Sequence, residues 1–477
     1  MPRRSVRLSV PAEDLRATFD QIRDEIGIRG AFPPEVLAEA EQAARGPRLP
    51  DADLTDLPFV TLDPPASMDL DQAFHLERRA GDAFRLRYAI ADVAAWVVPG
   101  GAVDTEAQQR AETAYSPDGR SPLYPPVLSE AAASLLPDGP RPAVVWRIDV
   151  DADGSAIDVE VSRALVASRA KLDYAQVQAS LDAGSADPMV ALLPEIGRLL
   201  QEAERSRGGA SLGVPEQEVV ENGDDYELAF IDQLPVEGWN AQMSLLTGRV
   251  AAAMMVTCGV GILRTMPPAD PADVARLQRI AAGLGVPWPS DRSYGEVLAT
   301  VDPRRSDGEA AFLQEAAALF RAASYEAFDG EHPSDMTHAA IAAPYAHCTA
   351  PLRRLVDRYA SEICLACSSG AEVPAWVREA LPTLPATMAE GVDKGHRLER
   401  AVVDAVEAAV LAPHVGQEFD AVVVDLWKRR RGEVVLRRPA VIGPCEGVTE
   451  LGAAVRVKLV EADLGERTIG FTTTSVS

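Results

Sequence analysis

The order of hydrophobic patterns along the chain predicts an α+β fold, with strands first, long helices after them and a second group of short strands at the C-terminal end. The early strands show as FRLRYAIADVAAWV and AVVWRIDVDADGSAIDVEVSRALV, the latter with DADG as a hairpin turn. The helices follow as GWNAQMSLLTGRVAAAMMV, GEAAFLQEAAALFRAASYEAF and APLRRLVDRYASEICLACSS. Strands segregated from helices do not fit a doubly wound sheet, in which the two alternate.

Taken in order, residues 1–52 read as a small N-terminal helical domain. PAEDLRATFDQIRDEIG sets Leu15, Phe19, Ile22 and Ile26 on one helical face, and PPEVLAEAEQAAR restarts a helix after prolines suited to a first turn. These helices form either a winged-helix-like module or a packing appendage. Mixed strands and helices fill residues 53–373. A proline-rich stretch, EVPAWVREALPTLPATMAEG, marks the boundary, and a long helix from about Met388 to Leu411 lies in the linker 374–412. Residues 413–477 return to strands (EFDAVVVDLW, GEVVLRRPAVI, AAVRVKLVEAD, RTIGFTT), the pattern of a small OB-type barrel.

At 477 residues, 47% hydrophobic and 25% charged, the chain is an ordinary globular protein with room for several domains. No apolar run reaches the roughly 20 residues that span a bilayer, and the N-terminus lacks a signal-like apolar stretch, so no membrane and a cytoplasmic setting are expected. Five scattered cysteines (Cys258, Cys348, Cys364, Cys367, Cys445) suit reduced thiols, and the lone CxxC at Cys364–Cys367 reads as helix core. The net charge of −26 discourages indiscriminate binding to nucleic acid. Basic residues nevertheless cluster at Arg353, Arg354 and Arg358, at Lys394, Arg397 and Arg400, and at Lys428 to Arg431 with Arg437 and Arg438. A local basic funnel inside an acidic shell is compatible with this distribution.

The segment FVTLDPPASMDLDQAF, residues 59–74, crowds Asp63, Asp69 and Asp71 together. Like charges so close, partly out of water, call for a divalent cation, and hard oxygen donors favour Mg²⁺ or Mn²⁺ over zinc. The apolar FVTL and the Pro64–Pro65 pair that forces an extended exit argue for a site at a strand's end rather than a solvated loop. A second constellation, HAAIAAPYAHCTAPLRRLVDRYA, places Thr349, Arg353 and Arg354 beside Pro351, which is expected to open a helix. That arrangement is either an anion site at a helix start or a basic face neutralised by Asp357 and Glu362. An acidic metal site and an arginine-rich site in one domain point to phosphoryl chemistry. A DxD glycosyltransferase reading of Asp69-Leu70-Asp71 needs a nucleotide-binding domain upstream, for which about 60 residues leave no room.

The ordered segments LPFVTLDPPASMDLDQAF, YAIADVAAWVVPGGAVDTEAQQRAETAYSPDGRSPLYPPVLSE, SRAKLDYAQV and YAHCTAPLRRLVD resemble the signatures of the ribonuclease II / ribonuclease R family, whose catalytic unit is the RNB domain. The resemblance implies a processive 3′→5′ exoribonuclease that hydrolyses single-stranded RNA to nucleoside 5′-monophosphates with Mg²⁺. It places Asp63, Asp69 and Asp71 on three of four acidic metal positions, with Gln72, a neutral carbonyl donor, on the fourth. Asp71 is the residue whose loss it makes most damaging. Arg353 falls on the arginine at the scissile phosphate and Arg354 follows it. Tyr115 falls on the aromatic that stacks on the 3′-terminal base, and Tyr174 on a tyrosine near the RNA. Ala241 and Gln242 stand where the family carries an acidic residue for ribose recognition. A helical pattern stands at the N-terminal end, where the resemblance leads to the expectation of cold-shock domains. Trp427 with Lys428 to Arg431 forms either a stacking and phosphate platform or a solvated hairpin.

Overall fold

The computed structural model describes residues 9–210, 216–222, 225–231, 233–298, 300–302, 305–320, 322–437 and 440–476. Residues 1–8 of the expected helical region and Arg438 of the basic cluster lie outside the described residues.

Two helices open the chain, α1 (Ala12–Ile26) and α2 (Pro34–Ala44). A six-stranded sheet follows, built from β1 (Phe59–Leu62), β2 (Gln72–Arg78), β3 (Phe84–Ala91), β4 (Arg141–Val150), β5 (Ala156–Val166) and β6 (Ser168–Leu172). Its order is β5-β4-β3-β2-β1-β6, antiparallel throughout except that β6 joins β1 in parallel. All four residues of β1 are buried, as a strand covered on both faces requires. The excursion between β3 and β4 carries helix α3 (Ala102–Arg110) and a short hairpin, Ala114–Ser116 paired with Gly119–Ser121.

The helical half begins with α4 (Tyr174–Asp182), α5 (Leu193–Ser206) and α6 (Pro235–Cys258). Helix α6 and the later α7 (Leu355–Ser369) pack on each other, and α7 also packs on β5. Between them Gly248 of α6 admits the chain at Tyr345 and Ala346. A Cβ there would stand 2.2 Å from the Tyr345 ring and 2.5 Å from the Ala346 carbonyl. Helix α8 (Leu384–Leu411) touches α1, the hairpin and the C-terminal barrel. Gly391 lets it pass the hairpin's approach, where an added Cβ would lie 2.6 Å from Ala111 Cβ. The barrel comprises β7 (Glu418–Trp427), β8 (Arg431–Arg437), β9 (Ala440–Glu446), β10 (Ala454–Asp463) and β11 (Thr468–Val476), closed in the order β7-β8-β9-β11-β10. The predicted α+β architecture with an OB-type barrel is what the chain adopts.

The N-terminal helices seat on different cores. Val36 and Ala40 of α2 join the core of the large sheet. Leu15, Phe19 and Ile22 of α1 are fully buried with Tyr226, Leu398 and Val402 in the core shared by α8 and the barrel. Three local expectations are corrected. SYEAF is not the end of a helix: Ser324–Asp329 is a strand paired with Val260–Thr265, and the helix before it stops at Ala316. Pro351 does not open a helix either, because α7 starts at Leu355 with Arg354 as its N-cap, leaving Thr349 and Arg353 in the turn ahead of it. The cysteines are not all thiols: Cys258 at the end of α6 and Cys367 of α7 form a disulfide, whereas Cys364 is free and buried, as helix core. Among the described residues no helix is long and apolar enough to cross a membrane.

Candidate active site

Asp63 leaves β1, and its amide donates to the Leu172 carbonyl of β6 at 3.1 Å. The stretch 68–71 then runs into β2 along a ledge made by Ser134 and Leu135. Leu70 N–H donates to Ser134 Oγ at 2.9 Å, that hydroxyl donates to the Met68 carbonyl at 2.6 Å, and Leu135 N–H donates to the Leu70 carbonyl at 3.0 Å. Leu70 is completely buried, so in extended backbone Asp69 and Asp71 share the opposite side. This is why an apolar residue stands between the two carboxylates.

Asp71 forms the floor. Its Oδ1 accepts the Leu352 amide at 2.7 Å and its Oδ2 lies 3.4 Å from Arg353 Nε. Burial pushes its carboxyl up to about 8, against the lowering pull of Arg353 and the Leu352 amide. Burial likewise pushes Asp63 up to about 6, with Arg353 and Lys171 opposing and Asp69 adding to the shift. Asp63 Oδ2 is buried without a hydrogen-bond partner. A buried carboxylate oxygen so placed lacks a cation or donor.

Gln72, at the start of β2, has both ends of its amide engaged. Nε2 donates to the Thr349 carbonyl at 2.6 Å, and Oε1 accepts from the Tyr88 hydroxyl and, at 3.3 Å, from Ser244 of α6. The carbonyl oxygen that the sequence offers to a metal is thus taken by two hydroxyls. Gln72 ties the sheet, α6 and the Thr349 turn together.

Arg353 and Arg354 diverge. The segment pairs with the hairpin's approach, Thr113 N–H donating to the Arg353 carbonyl at 2.9 Å and Leu355 N–H to the Ala111 carbonyl at 2.9 Å. Extended pairing alternates side chains. Arg353 reaches Asp71 and keeps nearly half its side chain exposed. Arg354 closes a bidentate pair on Asp357, at 2.9 and 2.8 Å, and Asp357 also accepts the Ala350 amide at 2.7 Å. With its fork so engaged, Arg354 orders the turn. His347 accepts or donates at 2.7 Å with Tyr325, and desolvation holds its ring well below the usual histidine range.

Tyr115 and Tyr174 line the rim. Tyr115 is half exposed and stands directly across the hairpin from Arg120. Arg120 was not singled out from the sequence, yet it donates to Asp69 at 2.6 Å and pairs with Glu130 at 3.0 Å. Tyr174 opens α4 with its hydroxyl accepting from Asn240 of α6 at 3.3 Å, within the field of Asp63. Gln242 is buried and donates to Glu204 of α5 at 2.6 Å, so on α6 it is Asn240 that meets Tyr174 and Ser244 that meets Gln72. Arg120 and Asn240 left no sequence signal beyond residue type; pairing across a hairpin and across helices reveals them.

Residues 51–366 match the family model described as the RNB domain, and residues 417–474 match the RNase II-type exonuclease C-terminal S1 domain. The chain belongs to the RNB-domain family. Similar RNB proteins include Ribonuclease R of Escherichia coli, 29% identical over 324 residues, which make up 64% of this chain and 39% of the relative. Exoribonuclease 2 of Erwinia tasmaniensis is 41% identical over 133 residues, 28% of this chain and 21% of the relative. The chain thus matches about two-fifths or less of the length of these relatives. Among solved structures, Mycoplasma genitalium RNase R in complex with ribose methylated single-stranded RNA superposes with a TM-score of 0.84 at 19% identity, covering 96% of this chain and 77% of that one. Yeast Ssd1, a pseudonuclease, superposes with a TM-score of 0.70 at 15% identity, covering 87% and 55%. Both likenesses concern the fold.

The RNB carboxylates do not form a closed cage here. Among the described residues no group of three or more His, Cys, Asp or Glu side chains is gathered to hold a metal ion. The reason is visible at Asp69, whose carboxylate is turned to the Arg120 guanidinium. The unpartnered Asp63 oxygen and the buried Asp71 carboxyl nevertheless fit a hard divalent cation in donor type and unmet charge.

Proposed function

We propose that this RNB chain is a processive 3′→5′ exoribonuclease that hydrolyses single-stranded RNA to nucleoside 5′-monophosphates. The observation that carries the reading is the juxtaposition at Arg353: its guanidinium lies 3.4 Å from the buried Asp71 carboxylate, on a segment stapled to the approach of the Tyr115 hairpin. A guanidinium suited to phosphate, a cation-demanding floor and an exposed aromatic are neighbours in this reading. In this reading Asp63, Asp69 and Asp71 would hold Mg²⁺ or Mn²⁺, with Gln72 bracing the floor. Bound there, the metal would neutralise phosphate charge and lower the pKa of an attacking water.

The protein groups do the positioning. Tyr115 stacks on the 3′-terminal base, a contact indifferent to base identity and suited to stepwise degradation. Tyr174, oriented by Asn240, borders the adjoining nucleotide. Arg353 stabilises the charge that develops on the phosphate oxygens, and the Leu352 amide keeps Asp71 aimed at it. Arg354 holds the turn that presents Arg353. An RNA-degrading role sets this reading in the cytoplasm.

Incubating the chain with 5′-labelled single-stranded RNA and Mg²⁺ tests this directly. A ladder descending to a short limit fragment is expected, and Asp71→Asn should abolish it, by several orders of magnitude, while RNA is still retained. Undiminished cleavage by Asp71→Asn refutes the site. RNA retained intact by the unaltered chain identifies a binding protein on the RNB fold instead, a reading favoured only by the engagement of Gln72.

A further inference from the structure

We propose that helix α1 is a brace for the Tyr115 hairpin and that Arg23 is its positioning residue for the RNA 3′ end. The inference rests on the stacking role given to Tyr115 above. It assigns a function to the N-terminal helices, for which sequence patterns offer none.

The hairpin needs a brace. Each of its strands is three residues long, and an isolated two-stranded ribbon of that size has little stability in water. Directly opposed residues of an antiparallel pair project to the same face. Tyr115 and Arg120 therefore share the face toward the carboxylates, while Ala114 with Ser121 and Ser116 with Gly119 share the other. Arg120 ties the first face to Asp69 and Glu130.

Arg23, in the last turn of α1, secures the tip. Its Nη1 donates to Asp118 Oδ1 at 2.7 Å and to Ser116 Oγ at 2.9 Å, and its Nη2 donates to Asp118 Oδ2 at 2.8 Å. Ser116 Oγ in turn donates to Asp118 at 2.7 Å, so the guanidinium grips a turn already closed on itself. Both side chains of the pair are mostly buried, at 20% and 13% exposure, which removes much of the screening that makes surface pairs weak.

Helix α1 is itself immobilised. Leu15, Phe19 and Ile22 are buried against α8 and its neighbours, and Glu25 accepts from Arg467 of the barrel at 2.7 Å. Just beyond the helix, Arg29 pairs bidentately with Glu106 of α3 at 2.8 Å. Arg110 of α3 donates both to the Gly30 carbonyl, at 2.8 Å, and to the Pro122 carbonyl that ends the hairpin, at 3.2 Å. A rigid helix thus reaches the hairpin at its tip, and the chain leaving that helix reaches its base.

The test uses the full chain with Arg23→Gln, Asp118→Asn and the exchanged pair Arg23→Asp/Asp118→Arg, with Tyr115→Ala as reference. Each single change is expected to raise KM for single-stranded RNA about three- to tenfold with kcat nearly unchanged, and the exchanged pair to recover part of the loss, because Asp20, which also accepts from Arg23 at 2.7 Å, opposes a carboxylate at position 23. A fluorescent purine analogue at the RNA 3′ end, bound in an Asp71→Asn background, should lose stacking in the single variants while their thermal midpoints stay within a few degrees of the parent. If a single variant unfolds, Arg23→Lys retains the charge, and wild-type KM in that variant together with full stacking would support the brace. Singles that leave KM and stacking at the parent level while Tyr115→Ala impairs both would overturn the inference and leave the Tyr115 reading intact. A Tyr115→Ala variant with unchanged KM and stacking would overturn both.

Discussion

Asp71 and Asp69 lie two residues apart on the same side of one extended segment, yet the fold gives them opposite surroundings. Asp71 sits in the floor, buried, where it meets one backbone amide and a half-exposed arginine. Asp69 faces the rim and is met at 2.6 Å by Arg120, a residue borne on the hairpin. The floor is anchored by backbone hydrogen bonds on a six-stranded sheet; the rim stands on a six-residue ribbon steadied by arginines. The lesson is physical: the carboxylate oxygen without a donor lies where the sheet fixes the backbone, and charge is already compensated where, on the proposed reading, a strand of varying bases would be accommodated.

The difference can be tested by striking each side in turn. Arg353→Ala removes the cation that meets the floor and, on the proposed reading, the substrate, and kcat should fall about 10²- to 10³-fold in a labelled-RNA assay; a loss confined to KM would move Arg353 to the rim. Gln72→Leu strips partners from the Thr349 carbonyl and from the Tyr88 and Ser244 hydroxyls, and should lower stability by about 2 to 3 kcal/mol in denaturant unfolding. Retained stability with lost activity would instead make Gln72 a participant in the chemistry. Tyr115→Ala should weaken retention of RNA by about 1 to 3 kcal/mol without altering the fold; equal retention would remove the base-stacking role from the rim.

The smallest effect concerns pH. The folded-state carboxyls of Asp63 and Asp71 are raised to about 6 and about 8, above their unfolded values near 4. Both are neutral in either state at low pH. As pH rises through that window the unfolded chain releases its protons more readily, so the metal-free protein loses stability from about pH 4 to about pH 8. Its thermal midpoint should fall by a few degrees across this range, and added Mg²⁺ should raise the midpoint more at pH 8 than at pH 5. A Mg²⁺ effect independent of pH would mean that the floor carboxylates are not what the cation meets.

Much of this was readable along the chain. FVTL declared β1, the crowding of Asp63, Asp69 and Asp71 declared an acidic segment at a strand's end, and the alternation in the last 60 residues declared the barrel. Leu15, Phe19 and Ile22 were recognisable as a buried helical face. Other features were hidden because their determinants lie far away in sequence. SYEAF is a strand because Val260–Thr265 offers it an edge, and Arg353 precedes its helix because residues 111–113 draw that segment into extended pairing. Arg120, Asn240 and Arg23 are common residue types whose meaning comes only from what they touch.

By itself, then, the sequence determined the periodicities, and with them the α+β class, the barrel and the acidic segment, because burial of apolar side chains at period two or near three and a half is a local constraint. Only the tertiary structure decided which charges are answered. Asp69 has its arginine at 2.6 Å, Asp71 shares a half-exposed one at 3.4 Å, Asp63 keeps a buried oxygen without a donor, and Gln72 is committed to the scaffold, since desolvation and hydrogen bonding depend on neighbours that the chain brings together from tens to hundreds of residues away.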